Sequence, residues 1–436
     1  MFARKTGMGA LHRAAATILA ASVLALGAAE AHAESVKIGL VTFLSGPAAA
    51  PFGVPAQHAA DLMIDAINKG ELPAPFHTKG VGGAAIDSFW VDEAGPVTKV
   101  VQDFRDMVER RDVNAVVGYV SSGSCLGIAP VAEELKKLTV FFDCGTPRIF
   151  EAAKLHYVFR TSATATMDSV GAARYLMTEF PKMKSFGGIN QNYAWGQDSW
   201  HDFEAAMKDL KPSLAITTVQ FPKLFAGQYS AEISALLASH SDVIHSSFFD
   251  GDLESFILQA EPRGLFQESH VVFTTGETVM FRFGSKLPDG TILGGRGPYG
   301  VLAHPSALNT WFRKSFIEKF GTPPTYPAYQ MANALLGVKF AYDKAAKAHP
   351  NPSQEQVIEA LTHAKYEGMG TEIDMANGDG HQAITDTAYG EYKYDTKTGQ
   401  PTLTHIVYYP AACVNPPANM NSTDWLKAGM PGAKCK

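Results

Sequence analysis

The chain has 436 residues, 46% hydrophobic and 18% charged, with 39 glycines, 25 prolines and a formal net charge of −6. Single cores rarely grow past ~250–300 residues, so this length calls for more than one domain. The composition excludes a disordered chain, a collagen and a coiled coil, and the mild acidity leaves no electrostatic footprint for nucleic acid.

The first 33 residues read as a secretory leader. Arg4, Lys5 and Arg13 form a basic n-region, Ala14 to Ala29 is apolar, and Ala31-His32-Ala33 is a small-x-small cleavage site. The apolar run is short for a spanning helix of ~20 residues. No cysteine stands at the cleavage site, which argues against a lipid anchor. The mature chain from Glu34 is expected to be exported and soluble, with a charge near −8.

Val36 to Phe43 is a nearly continuous apolar run, the pattern of a strand buried on both faces. A helix from Val54 to Lys69 follows, closed by Gly70. Ala85 to Val91 is the next strand. Val97, Val100, Val101, Phe104, Met107 and Val108 then mark one helical face. Val113–Val120 is expected as strand, Gly127–Lys137 as helix and Leu138–Phe142 as strand. This alternation predicts a parallel sheet with helices on both faces. A second series starts after Tyr157–Thr161. It has helices over Met167–Phe180, Asp198–Leu210, Ser230–Ala238 and Leu253–Arg263. Its strands are Phe186–Ile189, Ile216–Phe221, Asp242–Phe249, Val271–Thr275 and Ile292–Leu293. Three helices (near Asn309–Phe320, Tyr329–Ala348 and Gln354–Ala364) and a strand-rich end complete the chain. Two similar α/β lobes are therefore expected.

Four cysteines allow three pairings, and export permits disulfides. The local solution pairs Cys125 with Cys144 and Cys413 with Cys435, loops of 19 and 22 residues. Buried thiols at Cys125 and Cys144 are the alternative. No spacing fits zinc, and no P-loop, HExxH, nucleophile elbow or EF-hand occurs. Gly80–Ala85 fits G-x-G-x-x-A but precedes a strand instead of following one, so it reads as a turn. Gly378–Ala383 reads the same way. No metal or cofactor is expected.

Ligands of open α/β sheets bind beyond the carboxyl ends of strands. Here those ends carry Leu44–Pro47 with Phe52-Gly53, Ser121–Ser124, Asp143–Pro147, Phe248–Asp250 and Gly276-Glu277. Each has a bland reading: Ser122 as a cap, Thr146 as a turn residue, Glu277 as solvated, the phenylalanines as core. Their coincidence at facing strand ends favours a site.

These stretches, with Val36–Gly39, Asp92, Val116–Gly118, Phe159-Arg160-Thr161 and Tyr193–Gly196, resemble type I periplasmic binding proteins of the branched-chain amino acid class over about residues 35–410. The resemblance implies two Rossmann-like lobes joined by three crossings, near Arg160–Ser162, Gly295–Pro298 and Tyr366–Thr371. It divides the chain into an N-terminal lobe (34–159, with 299–367 returning), a C-terminal lobe (160–298, with 368–410 returning) and a tail (411–436). It implies that Ser122 and Thr146 grip a carboxylate, that the Cys144 carbonyl and Glu277 meet an ammonium, and that Phe52, Trp195 and Phe249 line the cleft.

The expected role is the non-catalytic, monomeric, periplasmic binding subunit of an ABC importer, handing its solute to a membrane permease. The first ligand choice is a small hydrophobic amino acid; an aromatic carboxylate, an amide or urea is the alternative, suggested by the aromatic positions and by Glu372–Gln382. An exported α/β enzyme needs a nucleophile–base pair or a cofactor motif, and neither is found. A sensing ectodomain needs a downstream spanning helix, which is also missing from the pattern.

Overall fold

The computed structural model describes residues 1–3 and 34–435, so all but the first three residues of the expected leader lie outside the described residues. Among the described residues no helix is long and apolar enough to cross a membrane.

The first sheet contains β1 (Val36–Thr42), β2 (Ile86–Asp92), β3 (Ala115–Gly118), β4 (Thr139–Phe141) and β5 (Val158–Arg160). All their pairings are parallel, in the order β5-β4-β3-β1-β2. The apolar run of β1 is explained by helices on both sides. Val54–Lys69 packs one face, and Val97–Glu109 covers the other with Val100, Phe104 and Met107. The second sheet contains β6 (Ser185–Ile189), β7 (Ala215–Gln220), β8 (Val243–Ser246), β9 (His270–Phe273) and β10 (Ile292–Gly294), also parallel, in the order β10-β9-β8-β6-β7.

The last strands divide between the sheets. β11 (Lys365–Glu367), β12 (Glu372–Asn377) and β13 (Gln382–Ile384) extend the first sheet, where Gln382 lies beside Arg160. β14 (Thr387–Asp395) and β15 (Gln400–Tyr409) form an antiparallel edge on the second. This corrects the expected boundary. Residues 368–384 stay with the first lobe, and the third crossing is at Thr385-Asp386, not Tyr366–Thr371. The pairing of β13 with β5, where Gln382 lies beside Arg160 222 residues away in sequence, holds this segment on the first sheet, a long-range preference that local sequence does not carry.

Several helices start earlier than the pattern predicts, the largest shifts being at Ser122 and Ala194. At Ser122 the cause is distant: the buried Glu93 carboxylate accepts from Val120 N and Ser121 N, both at 2.8 Å, and so organises the backbone that leads into the helix. The turn at Gly80–Ala84 is a turn, closed by Val81 and Ala84.

Both expected disulfides are present, with Cα separations of 6.5 Å for Cys125–Cys144 and 4.6 Å for Cys413–Cys435. The tail is part of the second lobe: Cys413, Val414, Trp425, Leu426 and Met430 complete a core with Met167, Leu176 and Phe203.

Candidate functional site: the cleft between the lobes

The first lobe contributes Phe52, from the tight turn Ala49–Gly53, and Val120, Asp143 and Gly145, which lie just beyond β3 and β4. The second contributes residues set at helix starts. Tyr193 and Phe249 have extended backbones directly before the helices Ala194–Leu210 and Asp250–Ala260, and Trp195 is the second residue of the former. Thr275 follows β9. Arg296 comes from the second crossing, and Tyr326 opens the long helix Tyr326–Ala348.

These residues line a half-open cavity of about 10 Å³, room for about one water and far below the ~300–1,000 Å³ of small-molecule pockets. A solute enters only when the lobes part. Their contact is tight at Gly145, where a Cβ would stand 2.2 Å from the Trp195 ring and 2.6 Å from Arg296 Nη2. The walls are aromatic: Phe52 makes edge contacts with Phe249 at 5.3 Å and Tyr326 at 5.4 Å, and Tyr193 lies 6.3 Å from Phe249. Trp195 Nε1 donates to Ser247 O at 2.8 Å, which fixes the indole plane.

Arg296 is the cation of this cleft. Its guanidinium lies 4.5 Å over the Trp195 ring. Nε donates to Asp168 Oδ2 at 3.0 Å, Nη1 to the carbonyl and carboxylate of Asp143, and Nη2 to Ala163 O at 3.1 Å. Burial pushes Asp143 up to about 6 and Asp168 up to about 7, against the pull of Arg296. For Arg296 burial works against the charge, yet the two carboxylates hold it above its ordinary value. One buried cation thus ties the first lobe's β4 end to the second lobe's Asp168.

Of the seven expected ligand residues, Phe52, Trp195 and Phe249 line the cavity, and the other four do not. Ser122 Oγ accepts from Thr146 N at 3.2 Å. Thr146 Oγ1 donates to Asp198 Oδ2 at 2.6 Å. The Cys144 carbonyl, expected to meet an amine, accepts from Arg160 Nη1 at 2.7 Å. Glu277 is fully buried behind Tyr326: Oε2 accepts from Tyr326 N at 2.8 Å, and Oε1 has no partner among the described residues. A Cβ at Gly300 would lie 1.8 Å from that oxygen, so only glycine fits there. Burial pushes Glu277 up to about 7.

The sequence reading missed Asp143, Tyr193, Arg296 and Tyr326 as site residues. Arg296 stood alone as a cation in Gly294-Gly295-Arg296-Gly297-Pro298, a crossing with no side chain to cover it, and that contrast was the available signal.

The sheet orders, the crossings and the cleft between the lobes define a two-lobed, type I periplasmic binding fold. A model of the periplasmic binding protein family matches residues 35–400, and the chain belongs to that family. It is accordingly a periplasmic, non-catalytic binding protein. A Leu/Ile/Val-binding protein of Rhizobium johnstonii is 29% identical over 177 residues, which span 41% of this chain and 45% of that protein. A solute-binding protein of an ABC transporter from Rhodopseudomonas palustris BisB5, solved with 3,4-dihydroxybenzoic acid, superposes with a TM-score of 0.73 at 19% identity, covering 87% of this chain and 98% of that one. The leucine-binding protein LivK of Thermotoga maritima superposes at 0.71 and 17% identity, covering 85% and 98%.

Proposed function

We propose that this protein is the exported solute-binding subunit of an ABC importer, and that its solute is a small aromatic carboxylate. One observation carries the ligand class: five aromatic rings wall the cavity, and its single lining cation, Arg296, already lies over an indole face. In this reading the lobes part, the aromatic ring enters among Phe52, Tyr193, Trp195, Phe249 and Tyr326, and its carboxylate takes the place of Asp143 on Arg296. Bidentate guanidinium–carboxylate pairing supplies both strength and orientation. Asp143, with its raised proton affinity, takes up a proton when it loses Arg296. The closed form, acting as a monomer, is then presented to a membrane permease.

A hydrophobic amino acid is the second reading, and Asp143 favours it. The zwitterion's carboxylate would take Arg296 and its ammonium Asp143, with no proton taken up. Glu277, walled behind Tyr326, serves neither reading as a direct ligand.

Calorimetry separates them. Benzoate, 4-hydroxybenzoate, leucine and phenylalanine are titrated at pH 6 and pH 8 in buffers of different ionisation enthalpy. The expected result is binding of a benzoate with net proton uptake, at least tenfold tighter at pH 6. Tight leucine binding without proton exchange would replace the aromatic reading by the zwitterionic one. Binding of none of these, with the fold intact, would remove both.

A further inference from the structure

The second lobe reaches the first beside the cleft with one loop, Pro222 to Gly227. The loop is anchored at both ends within its own lobe. Asn192 N donates to Pro222 O at 2.8 Å, and Gln259 Nε2 donates to Gly227 O at 3.0 Å. Ala226 N closes a turn onto Lys223 O at 3.1 Å. The tip is apolar. Leu224 packs against the cluster that runs from the first lobe's core into the cleft. The Phe225 ring meets Phe43, directly beyond β1, edge-on at 6.4 Å, and Phe249 of the cleft wall at 6.5 Å. The lobes approach again nearby: a Cβ on Gly251 would stand 3.1 Å from the Pro47 Cβ.

Phe225 is held there at a cost. Its φ is 58°, a conformation that bulky side chains rarely adopt. The residue stays 38% exposed, so packing returns only part of that cost. The group that imposes the conformation is Asp252, 27 residues away and buried. Its Oδ2 accepts from Phe225 N and from Gln191 Nε2, both at 2.7 Å, and its Oδ1 accepts from the Tyr229 hydroxyl. Three donors thus satisfy the carboxylate, and one of them fixes the backbone of the strained residue. Such strain persists only where the surroundings over-determine it, and it gathers at ligand clamps and switch regions.

We propose that Phe225 is a latch of the closed cleft and that Asp252 is its positioning residue. The ring engages Phe43 when the lobes meet and loses that contact when they part, so it slows the escape of a captured solute. This rests on the cleft being a solute site and is independent of which acid occupies it.

The test uses the mature chain and follows tryptophan fluorescence by stopped flow with benzoate, 4-hydroxybenzoate, leucine and phenylalanine. For the acid that binds, Phe225→Ala should raise the dissociation rate about threefold to tenfold, the value of one or two aromatic contacts, and leave the association rate unchanged. Asp252→Asn should raise the dissociation rate by less. The double variant should release no faster than Phe225→Ala alone, because Asp252 acts through that ring. Phe225→Gly should release as fast as Phe225→Ala yet unfold at a higher urea concentration, since glycine takes this φ freely. Without solute, small-angle scattering should give Phe225→Ala a larger radius of gyration than the unaltered chain. If an acid binds and its dissociation rate is the same in Phe225→Ala, the latch is overturned while the solute site stands. If none binds, the solute reading fails, and an unchanged radius of gyration overturns the latch as well. A double variant that releases much faster than Phe225→Ala would remove Asp252 from its positioning role.

Discussion

Arg296 and Arg160 are both buried, only a few residues from lobe crossings, and their surroundings are opposite. Arg296 meets two carboxylates and two carbonyls, and its charge is held above the ordinary range. Arg160 meets two carbonyls and one amide oxygen, and burial, with the nearby charge of Arg296, pushes it down to about 9. The cleft arginine is satisfied within the protein, so a ligand must compete with Asp143 for it. The hinge arginine is left one hydrogen-bond partner short among the described residues, and its guanidinium lies over the Phe150 ring at 5.4 Å. Each guanidinium is a single buried cation, but two carboxylates pair with Arg296 and, among the described residues, none pairs with Arg160.

The largest expected effect comes from removing the cleft cation. Arg296→Met leaves Asp143 and Asp168 buried without a counter-charge and should cost ~3–5 kcal/mol, read from urea midpoints. Arg160→Met strands only carbonyl and amide acceptors and should cost less, ~1–3 kcal/mol. A reversed order would break the comparison.

Opening the Cys125–Cys144 bridge should cost ~3 kcal/mol, the chain-entropy figure for a loop of this size. Because Cys144 O also holds Arg160, the double variant of Cys144→Ala with Arg160→Met should differ from the sum of the singles by ~0.5 kcal/mol or more. Strict additivity would show the bridge and the arginine to be independent.

The two regions should also differ in pH response. Asp143 and Asp168 titrate at about 6 and about 7 in the folded chain, above the ordinary 3.8. The folded state therefore binds more protons than the unfolded one between about pH 4 and pH 7, and stability falls as pH rises through that window. Glu93, Asp202 and Glu277, each raised to about 7 by burial, add to the slope. Asp143→Asn should flatten its share of that slope. A stability profile that is flat from pH 4.5 to 7.5 would remove this distinction.

The smallest effect is at the tail. Ser422 is buried and gives Glu151 one hydroxyl bond, so Ser422→Ala should cost ~1 kcal/mol. The measurement is the urea midpoint of the variant against the unaltered chain. An unchanged midpoint would show that this contact between the tail and the helix Arg148–Glu151 adds nothing to stability.

The α/β alternation, the two lobes and the local disulfides were legible because they depend on periodicity and short spacing. The run at Val36–Thr42 states a strand buried on both faces, and Gly70, at φ 74°, states where a helix must stop. Of the site, the hydrophobic part was legible: Phe52, Trp195 and Phe249 follow strand ends in both series. Its polar part was not. Whether Ser122, Thr146 and Glu277 face a solute or one another depends on Thr146 N, Asp198 and Tyr326 N, 24, 52 and 49 residues away. The side on which Glu372–Ile384 pairs is decided by the edge of β5, and the pairing of Arg296 with Asp143 spans 153 residues. By itself the sequence determined the elements, their order and the apolar faces, because burial acts residue by residue along a strand or helix. Only the tertiary structure decided which buried cation is neutralised and which is left one partner short, because charge compensation is settled by distance in space, and distance along the chain carries no information about it.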